Sequence, residues 1–129
     1  MTNLGCDGLI TFLYYEDIEE ASVFYRDVMG FENVMDRDWV KIYRISGNAH
    51  VGLVTGPRGW HRPSSHKPVM LSIIVSDADK WFESLKSRDV KTDLDAPKKG
   101  SEINMKAFRL WDPEGYVIEI VEFITPYGL

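Results

Sequence analysis

The chain has a single cysteine, Cys6, no run of basic residues and no apolar stretch long enough to cross a bilayer. One cysteine excludes an intramolecular disulfide and suits a reducing compartment. With 15 Lys and Arg against 20 Asp and Glu, the formal net charge is -5. No basic face is offered to a phosphate backbone, so no nucleic-acid partner is expected. The opening stretch "MTNLGCDGLITFLYYED" lacks a basic start, and its short apolar run ends in acids. It reads as neither a signal peptide nor a membrane span. Nucleophile-and-base motifs, phosphate loops and dinucleotide fingerprints are also missing. What remains is a soluble, cytoplasmic protein with no membrane partner. Its 129 residues, 44% of them hydrophobic, suffice for one domain (1–129) with one core.

What is present is one unit written twice. "DIEEASVFYRDVMGF" starts with Asp17 as N-cap and Glu20 three residues on, the spacing of a capping box. Ala21, Phe24, Tyr25 and Val28 recur at helical spacing, and Gly30 closes the segment. "SDADKWFESLKSRDV" repeats the plan, with Ser76 or Asp77 as cap and Ala78, Trp81, Phe82 and Leu85 on one face. A β-like run precedes each helix, "LITFLYY" and "VMLSIIV"; "KIYRI" is echoed by "KAFRL", each followed by a turn and a closing strand. Each half therefore reads strand, helix, then two or three antiparallel strands, over roughly 60 residues. The first module spans 8–56 and the second 69–124. The Gly-, Pro- and Ser-rich stretch 57–68 between them is a linker. "TDLDAPKKGSEIN" reads as a loop with room for a weak strand.

Turn arithmetic sets the strand faces. Pairing Asp112 with Gly115 across "DPEG" places Phe108 opposite Glu119; pairing Ser46 with Ala49 places Tyr43 opposite Gly52. One face then carries Lys41, Tyr43, Ile45, His50, Gly52 and Val54, with Lys106, Phe108, Leu110, Val117, Glu119 and Val121. The other carries Ile42, Val51, Leu53, Ala107, Ile118 and Ile120 and is uniformly apolar, the natural seat of the helices. The mixed face is either the lining of a ligand cavity or a solvated sheet surface. Glu119 poses the sharpest question, because a carboxylate between Ile118 and Ile120 costs free energy unless it is paired, hydrated or bound.

The segments "LITFLYYEDIEEASVFYRDVMGF", "LSIIVSDADKWFESLKSRDV" and "FRLWDPEGYVIEIVEF" resemble the glyoxalase/bleomycin-resistance/dioxygenase proteins, the vicinal oxygen chelate superfamily. The similarity runs from about Gly8 to Phe123, and "FYRDVMGF" and "DPEGYVIEI" are its most specific parts. The resemblance implies an α+β fold of two βαβββ modules in tandem, with sheets lining a U-shaped cleft. It also implies four ligand positions on the first and last strands of the modules. There, metal-dependent members use His, Gln or Glu to hold a divalent ion that chelates two neighbouring substrate oxygens. Carried over, the positions are Ile10, Gly52, Met70 and Glu119. One carboxylate is left and no imidazole, too few donors for a divalent metal, so no metal cofactor is expected. A shifted site using His50 and Glu119 lacks a third protein ligand.

The remaining candidates are weaker. His50 is either a cavity group or a strand-end histidine, and Phe12 and Tyr14 share the face of Ile10 as pocket lining or packing. Trp60, in the linker, and Trp39, at a strand start, suit a lid or an interface. His61 and His66 read as solvated loop residues, and nothing near Cys6 activates its thiol. The expected ligand-binding set is Glu119, Phe108, Tyr43, His50, Phe12, Tyr14, Met70 and Trp60, with Glu119 the catalytic residue if there is one. Two kinds of activity follow from the resemblance. One is metal-free sequestration of a small, partly aromatic or apolar molecule, as in the bleomycin-resistance-like members, by a homodimer. The other is enzymatic: a metal-dependent lyase, isomerase or dioxygenase, or a metal-free acid–base reaction through Glu119. The acidic surface and Glu119 favour a neutral or cationic ligand, tempered by Lys41 and Lys106.

Overall fold

Asp17 and Asp77 begin the two helices as their spacing predicts. Each aspartate caps its helix by accepting a hydrogen bond from the backbone N–H three residues on, Glu20 and Lys80, both at 3.1 Å. The computed structural model describes residues 4–128; the first three residues of the N-terminal stretch and the last residue of the chain lie outside it. Helix α1 covers Ile18–Val23 and continues as a π-helical turn, Phe24–Val28. The wider turn departs from the regular spacing read from the sequence. It lets the adjacent residues Phe24 and Tyr25 both be buried. Helix α2 covers Ala78–Ser87 and buries Ala78, Phe82 and Leu85.

Among the described residues, eight strands make two sheets. They are β1 Leu9–Tyr14, β2 Glu32–Asp36, β3 Val40–Ser46, β4 Ala49–Val54, β5 Met70–Ile74, β6 Lys98–Lys99, β7 Met105–Trp111 and β8 Val117–Phe123. The first sheet has the order β1-β4-β3-β2 and the second β5-β8-β7-β6. In both, the first strand runs parallel to the last, and the others are antiparallel. Each half is thus a βαβββ unit with one topology. The chain divides into two compact units between Ser65 and His66, inside the stretch read as linker. Among the described residues no helix is long and apolar enough to cross a membrane.

The register differs from turn arithmetic by one residue in both hairpins. Phe108 pairs with Ile120, and Arg109 with Glu119; Tyr43 pairs with Val51, and Ile42 with Gly52. The causes are local. In the first hairpin Ser46 does pair with Ala49, but a bulge at Ile45 follows, so Arg44 meets His50. In the second, the loop is 113–115 rather than two residues. Gly115 takes the left-handed conformation at φ 92, and Asp112 bonds across to Tyr116, N to O, at 2.9 Å. The buried Asp112 carboxylate fixes this loop by accepting from the N–H groups of Glu114 and Tyr116.

Because side chains alternate, one residue of slip turns β3 and β7 over. Tyr43 and Phe108, expected on the mixed face, are 1% and 0% exposed on the helix side of their sheets. The Phe108 ring meets Phe82 of α2 edge-on at 5.2 Å, and the Tyr43 hydroxyl shares a hydrogen bond with Ser22 of α1. Lys41 and Lys106 turn with them. Lys41 is ion-paired with Asp36 and with Glu19 of α1, and Lys106 with Asp79 of α2. The Asp36 and Asp79 carboxylates hold these two ammonium groups above the ordinary lysine range, against the opposing effect of burial. Val51, Leu53, Ile118 and Ile120 face the helices as expected. Ile42 and Ala107 move to the opposite face.

Candidate functional site

In the second unit the helix-free face carries Met70, Ser72 and Ile74 of β5, Val117, Glu119 and Val121 of β8, and Ala107, Arg109 and Trp111 of β7. The exposure of β5 alternates residue by residue, with Met70, Ser72 and Ile74 on the open side. Glu119 lies mid-face, its side chain only 14% exposed. Its carboxylate accepts from Ser72 Oγ at 2.7 Å on one flank and from Arg109 Nη1 at 3.2 Å on the other. Arg109 is itself tied to Asp93, whose Oδ2 accepts from Nε at 3.0 Å and whose Oδ1 accepts from the Arg109 backbone N–H at 2.7 Å. A polar row, Ser72–Glu119–Arg109–Asp93, therefore crosses an otherwise apolar face. It supplies the partner that a carboxylate between two isoleucines requires. That partner is neither Lys41 nor Lys106, both engaged on the helix side.

The first unit presents Ile10, Phe12 and Tyr14 of β1, His50, Gly52 and Val54 of β4, and Val40, Ile42 and Arg44 of β3 on its helix-free face. Gly52 lies opposite Phe12 as Glu119 lies opposite Ser72. A Cβ at Gly52 would fall 2.4 Å from the Phe12 ring, so the glycine makes room for an aromatic ring laid across β4. One end of this face is covered by the linker. Gly59 approaches Val54 and Tyr14, the His61 ring stands edge-on to Tyr14 at 5.3 Å, and the Arg58 guanidinium lies over Trp39. Val40, Ile42, Val54, Tyr14 and Trp39 form a small apolar cluster beneath. At the other end, His50 and Ile10 border a cleft of about 330 Å³. Trp60 is 89% exposed, and Cys6 is exposed as well.

The expected site residues are thus distributed unevenly. Phe12, Tyr14 and His50 share the open face of the first unit, and Met70 and Glu119 that of the second, whereas Tyr43 and Phe108 belong to the helix-packed cores. Arg109, Ser72 and Asp93 were missed. Ser72 was within reach, lying two residues from Met70 and so on its face. Arg109 was hidden by the one-residue slip at Gly115. For a metal, the four positions implied by the fold do not fit. Ile10 and Gly52 carry no side-chain donor, Met70 has only a thioether, and Glu119, whose two oxygens each accept one hydrogen bond from Ser72 and Arg109, is the single oxygen donor left. Among the described residues no three His, Cys, Asp or Glu side chains come together as a possible metal site.

Two βαβββ units, each with a helix on one sheet face and a largely apolar open face on the other, define a tandem-module α+β fold. Residues 9–120 match the glyoxalase/bleomycin resistance protein/dioxygenase superfamily, and the chain belongs to that family. Among solved structures it is similar to a lactoylglutathione lyase from Agrobacterium tumefaciens, with 18% identity and a TM-score of 0.75 over 93% of this chain and 96% of that one. A superfamily member from Sphaerobacter thermophilus shows 23% identity and a TM-score of 0.76 over 93% and 99% of the two chains. TioX from a Micromonospora species shows 16% identity and a TM-score of 0.76 over 91% and 98%. At these identities the likeness is one of fold. No curated protein matches the sequence.

Proposed function

We propose that this protein binds a small, partly aromatic or apolar molecule on the open faces of its sheets, without a metal, and acts by sequestering it. The bleomycin-resistance branch of the superfamily name is the closest match to that role. The observation that carries the reading is the state of Glu119. The one oxygen donor among the four family positions is already satisfied by Ser72 and Arg109, beside half-exposed Met70 and Ile74. A metal or a proton at this carboxylate would have to compete with the Arg109 cation and the Ser72 hydroxyl already bound to it. Half-exposed apolar side chains around a few fixed polar groups are the ordinary make-up of a small-molecule site.

The same faces support a homodimer. Ile10, Phe12, Met70 and Ile74 are 40% to 61% exposed on surfaces that no helix covers, and a second copy would cover part of that area beside the bound molecule. A cytoplasmic setting suits a chain whose one cysteine is exposed. The metal question is tested by elemental analysis of protein purified without added metal, together with thermal melting before and after a chelator. No stoichiometric ion and an unchanged melting temperature are expected. A stoichiometric divalent ion, with a melting temperature that falls on chelation, would overturn the reading in favour of a metal-dependent lyase, isomerase or dioxygenase. Sedimentation at micromolar concentration is expected to show a dimer, and a single species of 14.8 kDa would refute the assembly.

A further inference from the structure

On the open face of the second unit, the row beside Ser72–Glu119–Arg109 is Met70–Val117–Trp111, set by the pairing of β5, β8 and β7. Met70 is 46% exposed and Trp111 39%. Among the described residues the Trp111 ring meets no other ring, and its indole N–H has no acceptor. Arg109 stands two residues before Trp111 on β7, so the two share a face with their backbones roughly 7 Å apart. A guanidinium carries five N–H groups. Those of Arg109 on Nε and Nη2 meet Asp93 Oδ2 at 3.0 and 2.9 Å, and one on Nη1 meets Glu119 Oε2 at 3.2 Å. One N–H is left unmatched on each terminal nitrogen.

We infer that this part of the face takes a neutral, flat aromatic molecule bearing a carbonyl, its ring on Trp111 and Met70 and its oxygen accepting from the unmatched Arg109 N–H groups. The inference rests on the metal-free binding reading above and names its ligand class. Charge decides the kind of acceptor. Asp93 and Glu119 both bind Arg109, and Lys98, paired with Ala107, stands on the same face. Two carboxylates against two cations leave no net charge to draw in an ion of either sign. What Arg109 offers is direction, because Asp93 fixes the plane of its guanidinium. The ligand uses only the donors left over, so Glu119 keeps its ion pair. Trp111 and Met70 supply the apolar, polarisable surface on which an aromatic ring rests.

Three probes of one shape test the inference: 2-acetylnaphthalene, 2-isopropenylnaphthalene, in which C=CH2 replaces C=O, and 2-naphthoate. Each is titrated while the backbone amides of Arg109, Trp111 and Glu119 and the Trp111 indole N–H are followed by NMR. The ketone is expected to bind about three- to tenfold tighter than the alkene, the scale of one hydrogen bond, and no weaker than the naphthoate. Trp111→Ala should weaken ketone and alkene alike, by about three- to tenfold. Trp81→Phe, on α2 across the sheet, should change neither. Equal binding of ketone and alkene overturns the carbonyl assignment, and tighter binding of naphthoate overturns the neutral one. Unchanged affinities in Trp111→Ala overturn the ring platform. If the probes shift the amides of Phe12 and Gly52 but none near Trp111, the inference fails and the binding reading stands. If no open-face amide shifts in either unit, both fail.

Discussion

The centres of the two open faces hold the same place in the same topology and are built from opposite chemistry. In the first unit the row across the strands is Phe12, Gly52 and Ile42; in the second it is Ser72, Glu119 and Arg109. The first row is apolar, an aromatic ring lying over a glycine that has no side chain to obstruct it. The second is a hydrogen-bonded ion pair extended by Asp93. One fold position therefore serves as apolar filling in one unit and as a polar anchor in the other. The lesson is that the superfamily's ligand positions need not carry ligands. Ile10, Gly52 and Met70 offer no side chain suited to a divalent metal, and the remaining carboxylate is matched by a cation from β7.

That comparison depends on register, and the largest effect tests it. Phe108 is fully buried against Phe82 on the helix side, so Phe108→Ala should cost about 3–5 kcal/mol by urea denaturation. A loss below about 1 kcal/mol would place Phe108 on the open face and put Arg109 on the other side from Glu119.

Most of the fold was legible because its signals are local. Asp17 and Asp77 cap helices through contacts three residues away, and the repeat of "KIYRI" in "KAFRL" marks paired units without any tertiary knowledge. Strand existence survived, as did the inward set Val51, Leu53, Ile118 and Ile120. The site was less legible, since "DPEG" is compatible with a two- or a three-residue loop. The choice is made by the Asp112 side chain reaching Tyr116 N–H and by Gly115 adopting positive φ. The bulge at Ile45 carries no strong sequence mark. Each slip is a single residue, yet each exchanges the two faces of a strand, which is why Tyr43 and Phe108 were assigned to the site and Arg109 was not.

A smaller effect examines the apolar row. Gly52→Ala brings a methyl within 2.4 Å of the Phe12 ring, and the ring must swing out over solvent. Overpacking of this kind costs about 1–3 kcal/mol, at the lower end here because Phe12 is half-exposed and can move. Phe12→Ala in the same chain should recover most of the loss, giving a coupling energy of about 1 kcal/mol between the two sites. If the double variant is as unstable as the sum of the singles, the ring does not depend on Gly52 for its place.

The smallest effect concerns the polar row. Glu119→Gln keeps an oxygen to accept from Arg109 and keeps an amide able to bond Ser72, while Arg109 retains Asp93 as counter-ion. No cation is stranded, so the change should cost less than about 1 kcal/mol in thermal or urea unfolding. Arg109→Gln is the contrasting substitution. It leaves Asp93 and Glu119, with side chains 20% and 14% exposed, without the cation they share. Stranding two partly buried carboxylates should cost about 1–3 kcal/mol. The two variants therefore separate the roles. If Glu119→Gln proved the more damaging of the pair, the carboxylate and not the arginine would be the hub of the row, and its role in recognition would have to be sought in the charge that the substitution removes.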